Sequence, residues 1–191
     1  EFEDKQESFV ALDPTTKTVA TVFDNAAEVL YQGWELETQY VFNEYLRVFL
    51  NYGYLDAEYE DFQTDINPND GVTVIEDASY LIPRSSPENT LGLGGTVTIP
   101  LNNGAGIEIF AKFTRIDERE NSLLNLTQAR TDEIDDVSAT IGYYTNDWSV
   151  VAFGRNLTDE RFEVFSPIAT LFAAGNINKP RSYGIEFQYN F

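Results

Sequence analysis

Every second residue at the end of the chain is apolar. The last eleven residues are Arg181–Phe191, and from Ser182 onward they alternate without a break. A tilted transmembrane β-strand of about 9–11 residues needs one apolar face and one polar face. A soluble β-sandwich can use the same alternation, but it rarely finishes on an exposed aromatic row. The segment therefore predicts a strand of a bacterial outer-membrane barrel. Its apolar series is Tyr183, Ile185, Phe187, Tyr189 and Phe191, and its polar series is Ser182, Gly184, Glu186, Gln188 and Asn190.

The same period-two alternation recurs along the chain and predicts about eight strands. The predicted fold class is all-β, with antiparallel up-and-down transmembrane β-barrel strands, short periplasmic turns and long extracellular loops. The predicted strands are 1–12, Ala26–Phe42, Tyr45–Asp56, Asn89–Leu101, Gly106–Ile116, Ile134–Tyr144, Trp148–Asn156 and the C-terminal strand.

The connections between these strands alternate in length. Three are tight-turn sequences rich in Asn, Asp and Gly: Asn43–Glu44, Asn102–Ala105 and Thr145–Asp147. The other connections are predicted to be long loops, which are unusual in a compact soluble domain. Short turns at one end and long loops at the other are the outer-membrane pattern. The predicted loops are Asp13–Asn25, Ala57–Glu88, Asp117–Glu133 and Leu157–Pro180.

Strand direction follows from placing the end of the last strand in the periplasm, and it predicts two girdles of aromatic side chains at the membrane interfaces. Packing in a sandwich core is the alternative explanation for so many aromatics. The periplasmic girdle is Tyr40, Phe42, Tyr143, Trp148, Tyr189 and Phe191, and the outer one is Tyr52, Tyr54, Phe113 and Tyr183.

The opposite strand faces are polar, and unpaired burial of such side chains costs several kcal/mol each. They therefore favour a wide, wet or plugged lumen over a dry barrel core. The side chains on this face include Glu35, Glu37, Gln39, Arg47, Asn51, Glu108, Lys112, Glu186 and Gln188.

Composition excludes several classes of function. The absence of Cys rules out disulfides and thiolate metal sites, and the absence of His rules out a Ser-His-Asp or His-metal enzyme. The formal net charge of −20 argues against nucleic acid as a partner, because phosphate binding needs Lys and Arg. We assign most of the acid to solvated loops at Asp56–Asp77, Asp117–Glu120 and Asp132–Asp136. An alternative is that these loops hold divalent cations beside lipopolysaccharide.

Five short motifs follow one another along the chain. They are Asn25–Glu28 with Gly33–Glu37, Leu50–Glu58, Pro83–Arg84 with Pro87–Asn89, Asn156–Phe162, and Pro180–Arg181 leading to Phe191. In this order they resemble the C-terminal part of a TonB-dependent outer-membrane receptor. The chain begins at Glu1 without a start Met or a signal peptide, so we expect either a processed product or, as the favoured alternative, a piece of a longer protein.

The resemblance implies that residues 1–191 are the C-terminal part of the barrel and that this chain contains no plug domain. In the family, a barrel of about 22 strands encloses an N-terminal plug, so the resemblance implies that these eight strands are part of such a barrel. A TonB-type protein couples inner-membrane energy to uptake of a scarce ligand. The implied partners are outer-membrane lipid, lipopolysaccharide, the plug, the other barrel strands, the TonB-type protein and the barrel-assembly machinery. The assembly signal would be Phe187, Tyr189 and Phe191, which also face lipid.

Two loop segments are candidate sites. Asp65, Asn67, Asn69 and Glu76 approach the oxygen-ligand spacing of a calcium loop, although a polar turn explains them equally simply. The long loop before the last strand carries Arg161, Phe162, Phe165 and Phe172. These residues are candidates for gripping a ligand, with packing between loops as the alternative.

Three classes of function are compatible with the residues. The first is a receptor fragment for energy-coupled uptake of a ferric siderophore, vitamin or oligosaccharide. The second is a self-contained small outer-membrane barrel that serves as an anchor or interaction module. The third, a membrane-embedded hydrolase, has no cluster of catalytic groups to support it. We expect no enzymatic activity, and no cofactor other than the loop calcium considered above.

Overall fold

The computed structural model describes residues 2–12, 19–67, 74–165, 168–169, 172–173 and 176–190. The described residues are folded as long antiparallel strands, so the predicted all-β class is confirmed. The eight long strands are β1 (Phe2–Leu12), β2 (Val19–Val41), β3 (Leu46–Thr64), β4 (Asn89–Pro100), β5 (Gly106–Ile116), β6 (Ile134–Tyr144), β7 (Trp148–Arg155) and β8 (Ser182–Tyr189).

These strands form one sheet in chain order, and each strand pairs antiparallel with the next. Within the described residues, β1 pairs only with β2 and β8 pairs only with β7, so these eight strands do not close into a barrel. Tight turns lie at one end of the sheet, called here the turn end. Long connections lie at the other, called here the loop end.

Short strands lie at the loop end of the sheet. Glu76–Asp77 pairs with the end of β3, and Arg119–Glu120 pairs with Arg130–Thr131. No helix in the described ranges is long and apolar enough to cross a membrane. The remaining short strands at this end are Glu163–Phe165 with Asn176–Ile177 and Ile168–Ala169 with Phe172–Ala173, and a 3-10 turn is formed by Thr127–Ala129. A second 3-10 turn, Asn102–Gly104, lies at the turn end between β4 and β5.

Two strands are longer than the alternation predicts. β2 begins at Val19 rather than at Ala26, and β3 continues to Thr64 rather than ending at Asp56. The loop assignments for these stretches of Asp13–Asn25 and Ala57–Glu88 are therefore wrong. Their polar side chains gave no apolar lipid-side row, yet the backbone continues its ladder of hydrogen bonds. Of the predicted acidic loop Asp56–Asp77, the residues Asp56, Glu58, Glu60 and Asp61 therefore lie in β3. We call the ends of β2 and β3 beyond Trp34 and Tyr54 the projecting hairpin.

The register separates the two faces of the sheet as the alternation predicts. Across β2 and β3, Leu36 lies opposite Tyr52 on one face, and Glu37 lies opposite Asn51 on the other. The first face is apolar from β2 to β8 and ends on Tyr183, Ile185, Phe187 and Tyr189 of the last strand. The opposite face carries most of the polar side chains.

The polar face also carries aromatic rings that the sequence analysis did not assign to it. Phe49 lies across from Gly94, and its ring stacks on Phe110 at 6.3 Å between centroids. Phe153 lies across from Gly184 in the same way. A Cβ atom added at Gly184 would lie 2.8 Å from the Phe153 ring, so the missing side chain makes room for the aromatic neighbour.

Candidate functional site

The upper parts of β2 and β3 have the opposite polarity to the rest of the sheet. Between Trp34 and Tyr54 and the turn end, called here the lower part, the apolar side chains lie on the apolar face. Between these residues and the loop end, called here the upper part, the apolar side chains of Val29 and Tyr59 lie on the same side as the polar face. Acidic side chains such as Glu58 lie there on the side of the apolar face. An apolar outer row is needed only beside lipid, so this inversion is what a strand that continues into water requires.

A β-bulge at Glu60 adjusts this hairpin. Val29 pairs with Tyr59 and Ala27 pairs with Phe62, so β3 has one more residue than β2 between the two pairs. The extra residue brings both aromatic rings to the same side, where they stack at 4.5 Å. Val29 is 0% exposed and Phe62 is 1% exposed.

These residues form a small apolar core at the loop end. Loops 74–88 and 117–133 fold over the hairpin and contribute Ala78 and Leu123 to it. The sequence analysis missed this core because it assigned the stretch to solvated loop. The available signal was the spacing of Tyr59 and Phe62 among acidic residues. The complete core cluster is Ala27, Val29, Tyr59, Phe62, Ala78 and Leu123.

Hydrogen bonds hold the two loops to each other and to the hairpin. The Asn125 side chain spans Ile82, accepting from its N–H at 2.7 Å and donating to its carbonyl at 2.9 Å. The Ser85 N–H donates to the Glu120 carbonyl at 2.7 Å. The Ala78 N–H donates to the carbonyl of Phe62 at 2.7 Å. These hydrogen bonds therefore fix the two loops to each other and to the hairpin.

The Asp77 carboxylate holds the start of this loop. It accepts from the N–H of Ser79 at 3.0 Å and from its hydroxyl at 2.7 Å. These hydrogen bonds favour the charged form and lower the pKa of Asp77. The Ser79 hydroxyl in turn accepts from the N–H of Phe62 at 3.0 Å.

A cavity of about 770 Å³ lies between upper β3 and these two loops, and we call it the rim cavity. Seven acidic side chains and two arginines contribute to its lining, so its charge is strongly negative. Its apolar lining includes Leu81 and Ile82. The acidic residues are Asp56, Glu58, Glu88, Asp117, Glu118, Glu120 and Glu133, and the arginines are Arg119 and Arg130.

Glu120 is the most enclosed of these acidic residues, with 7% of the surface of the whole residue exposed. Arg130 lies between it and Glu118. The guanidinium contacts Glu118 through Nη2, and its Nε is 3.9 Å from Oε1 of Glu120. Oε2 of Glu120 has no hydrogen-bond partner among the described residues. Burial, the largest influence, raises the pKa of Glu120, while Arg130 acts to lower it.

A second hydrogen-bond chain fixes the point where loop 117–133 leaves the sheet. The Tyr52 hydroxyl donates to Asn89 Oδ1 at 2.5 Å, and Asn89 Nδ2 donates to Asp117 at 2.6 Å. Next to it, Arg115 forms a two-pronged ion pair with Asp135. Asp135 and Asp136 lie in β6, so their assignment to an acidic loop is wrong.

The Asn156–Phe162 motif builds the exit of the next long connection. Asn156 is 7% exposed and has a left-handed backbone, with φ of 49°. Its Nδ2 donates to the carbonyls of Glu160 at 2.9 Å and Lys179 at 3.0 Å, which joins the two ends of the loop. Asp159 accepts from the N–H of Arg181 at 3.3 Å. The motif is therefore a structural anchor.

The predicted interface aromatics fall into contacting groups on the apolar face. At the turn end, Tyr40 meets Phe42 edge-on at 4.6 Å, and Trp148 lies 5.3 Å from Tyr143. Toward the loop end, Tyr52 lies 5.1 Å from Trp34, which the sequence analysis had left out of the girdle. Their role at a membrane interface stays a prediction. The other predicted members are Tyr54, Phe113, Tyr183 and Tyr189.

Two of the three assembly-signal residues lie in the last part of β8. Phe187 and Tyr189 lie on the apolar face, and Phe187 is 6.3 Å from the Trp148 ring. Phe191 lies outside the described residues. The signal itself stays a prediction.

The four ligand-loop candidates occupy different elements. Phe162 lines a cavity of about 510 Å³ on the polar face, together with Phe110 and Phe153. Arg161 precedes it and is not among the residues that line this cavity. Phe165 and Phe172 lie in the short strands Glu163–Phe165 and Phe172–Ala173. A shared ligand site for these four residues stays a prediction.

The calcium candidates are only partly described. Asp65 accepts from the N–H of Asn67 at 2.9 Å, as in a polar turn. Glu76 lies in the short strand that pairs with the end of β3, and Asn69 lies outside the described residues. Among the described residues no three acidic side chains are grouped as a metal site.

No protein-family model and no curated protein sequence matches the chain. It is similar to three solved structures. The ferric yersiniabactin uptake receptor FyuA from Yersinia pestis is 17% identical, with a TM-score of 0.72 over 89% of this chain and 25% of that chain. The siderophore receptor PiuA from Acinetobacter baumannii is 18% identical, with a TM-score of 0.66 over 95% and 24%.

The third is BauA, the ferric preacinetobactin receptor from Acinetobacter baumannii, at 19% identity and a TM-score of 0.61 over 97% of this chain and 26% of that chain. The chain thus spans about a quarter of the length of each receptor. Likeness at this identity is a likeness of fold. The resemblance noted in the motifs is confirmed at that level: the chain is folded as a portion of the barrel of TonB-dependent receptors.

Proposed function

We propose that this chain is part of an outer-membrane receptor that takes up a scarce ligand, with a ferric siderophore as the leading candidate. The observation that carries the proposal is the two-faced sheet. Its apolar face is continuous from β2 to β8, and its opposite face is polar. A protein that spans a bilayer as a barrel around a polar lumen needs this division. Of the three receptors of similar fold, PiuA is named a siderophore receptor, and FyuA and BauA are named for ferric yersiniabactin and ferric preacinetobactin.

The loop end adds support. Loops 74–88 and 117–133 are fixed on an apolar core and enclose the rim cavity, whose volume lies within the range of about 300–1,000 Å³ typical of small-ligand sites. A rigid scaffold carrying structured loops is where binding sites concentrate. We therefore place the first contact with ligand at this end of the sheet.

The proposal brings the partners expected from the resemblance. They are outer-membrane lipid and lipopolysaccharide beside the apolar face, a plug domain and further barrel strands, and an energy-coupling TonB-type protein. The barrel-assembly machinery would read the Phe187, Tyr189 and Phe191 signal. The proposed location is the bacterial outer membrane, and the proposed role is transport rather than catalysis.

The self-contained small barrel is less favoured. In the described residues, β1 and β8 each pair with a single neighbour, so both present an unpaired edge. A small barrel avoids such edges by closing on itself.

Uptake by the natural receptor tests the proposal. Iron-starved cells of the source bacterium, with and without the gene, would be given a panel of radioactive ferric chelates of differing charge. We expect the deletion strain to lose uptake of at least one chelate, and an uncoupler of the inner-membrane potential to stop uptake in the parent. Equal uptake of every chelate by both strains would overturn siderophore uptake as the function.

A further inference from the structure

We propose that the rim cavity receives the positively charged end of its ligand, an alkylammonium or guanidinium group, and that the Glu120 carboxylate is the counter-ion. The inference rests on the proposed function, since the ligand is the chelate that the receptor takes up. It adds the charge of that chelate and the residue that recognises it.

The charge of the cavity is the first argument. Seven carboxylates and two guanidiniums contribute to the lining, and one guanidinium already contacts Glu118. A cleft lined by one sign of charge concentrates ligands of the opposite sign. An anionic chelate would be repelled from these walls, whereas a chelate with a cationic arm would be drawn in.

Glu120 is the second, independent argument. Its side chain is 9% exposed, it lines the cavity, and Oε2 makes no hydrogen bond to any described residue. Nearly all buried polar atoms in folded proteins have a partner, so an exception in a cavity wall points to a group supplied from outside. An ammonium or guanidinium donates hydrogen bonds and a positive charge, which are the two things this oxygen lacks.

Arg130 does not remove this need. Its Nη2 contacts Glu118, while Nε stays 3.9 Å from Oε1 of Glu120, beyond hydrogen-bond length. One guanidinium is shared between two carboxylates, which leaves one negative charge in excess. Glu120 therefore has an unused acceptor.

An organic cation fits better than a metal ion. Hard cations such as calcium take six to eight oxygen ligands. Among the described residues no three acidic side chains are grouped for that purpose. The wall also includes Leu81 and Ile82, which suit the methylenes of an alkylammonium arm.

A matched pair of chelates tests the inference on the full receptor in outer-membrane vesicles. The first is the ferric complex of a linear trihydroxamate that ends in a primary amine. The second is the same complex with the amine acetylated, which removes the positive charge and keeps the iron centre. We expect the amine form to bind about tenfold more tightly or better, and Glu120→Gln to abolish that preference.

Glu60→Gln is the matched control, since Glu60 is an exposed carboxylate at the same end of β3 that does not line the cavity. It should leave the preference intact. A gel shift on heating shows whether each variant barrel is folded. An equal loss of preference in both variants would assign the effect to the overall field of the loops and overturn the role of Glu120.

Equal binding of the two chelates by the parent receptor would overturn the inference and leave siderophore uptake standing. Binding of neither chelate of the pair would also overturn the inference, provided that the receptor binds an anionic or neutral chelate from the uptake panel. Failure of every chelate in the panel would overturn the inference together with the proposed function. The two failures are therefore distinguishable.

Discussion

Asn125 holds Ile82 from both sides of its backbone, with Oδ1 2.7 Å from the Ile82 nitrogen and Nδ2 2.9 Å from its carbonyl oxygen. The two residues lie 43 positions apart. Asn125 also has a left-handed backbone, with φ of 49°. One side chain therefore fixes the relative position of two loops that enclose the rim cavity.

Asn125→Ala should loosen both loops, because it removes the two side-chain hydrogen bonds to Ile82 and the local one to the Ser122 carbonyl. Alanine also lacks the short polar side chain that lets Asn adopt the left-handed backbone. The expected loss is about 2–3 kcal/mol of local stability. The measurement is the rate at which protease cleaves the loops on intact cells. Glycine adopts the left-handed backbone readily but cannot form the side-chain clamp, the pair of hydrogen bonds to Ile82. The loss of local stability in Asn125→Gly should therefore be about 1 kcal/mol smaller than in Asn125→Ala. Wild-type cleavage rates in both variants would contradict the clamp.

Asn156→Asp should release the long connection before β8. The carboxylate keeps the acceptor that binds the Glu160 N–H but cannot donate to the carbonyls of Glu160 and Lys179. Because the site is buried, we expect a loss of about 1–3 kcal/mol. Protease accessibility of the connection reports it. Thr158→Ala, which removes the hydroxyl contacts to the Asp135 carbonyl and to Asn156 Oδ1 but leaves both donor bonds of Asn156, should have a smaller effect. The reverse ranking would count against Asn156 as the anchor.

Gly184→Ala should destabilise the sheet through Phe153 alone. The added Cβ would lie 2.8 Å from that ring and meet no other group within 3 Å. Overpacking of this kind costs about 1–3 kcal/mol. In a Phe153→Ala background the penalty should vanish, since Ala otherwise suits a strand better than Gly. A double-mutant cycle measured by urea unfolding of the receptor in detergent decides this. Equal penalties in both backgrounds would sink the idea.

Glu120→Gln should make loop 117–133 more resistant to protease at neutral pH. Burial raises the pKa of Glu120 above its ordinary value of 4.5, so the folded loop binds the proton more tightly than the unfolded loop does. The charged form is therefore unfavourable to folding above the raised pKa. That penalty shrinks as pH falls toward 4.5. The advantage of the variant should shrink over the same window, and an advantage independent of pH would argue against charge burial.

The two-faced strands were predictable because each strand of the lower sheet has one apolar and one polar face. β5 and β6 have the predicted bounds, Gly106–Ile116 and Ile134–Tyr144, and the other strands of the lower sheet differ only slightly. In this region an apolar residue is required at every second position, so the period can be read from residues alone. Turn chemistry then gives the order and direction of the strands.

The region above Trp34 and Tyr54 followed a different rule. There the apolar side chains lie on the side of the polar face, and the bulge at Glu60 shifts the alternation by one residue. Tyr59 and Phe62 therefore do not continue the alternation of the lower strands. The stretch was not predicted as a strand because its many acidic residues are typical of a solvated loop. Only contacts with Ala78 and Leu123, distant in the chain, show that it is a strand with a core.

By itself, the sequence determined the class of fold, the face of each lower strand and the side of the sheet that carries long loops. These features depend on local alternation and turn chemistry, which neighbouring residues encode. The tertiary structure alone decided the projecting hairpin, its core and the enclosure of Glu120 in the rim cavity. These depend on pairs such as Asn125 with Ile82 and on the burial of one carboxylate by two loops, which residues far apart in the chain create only when they pack together.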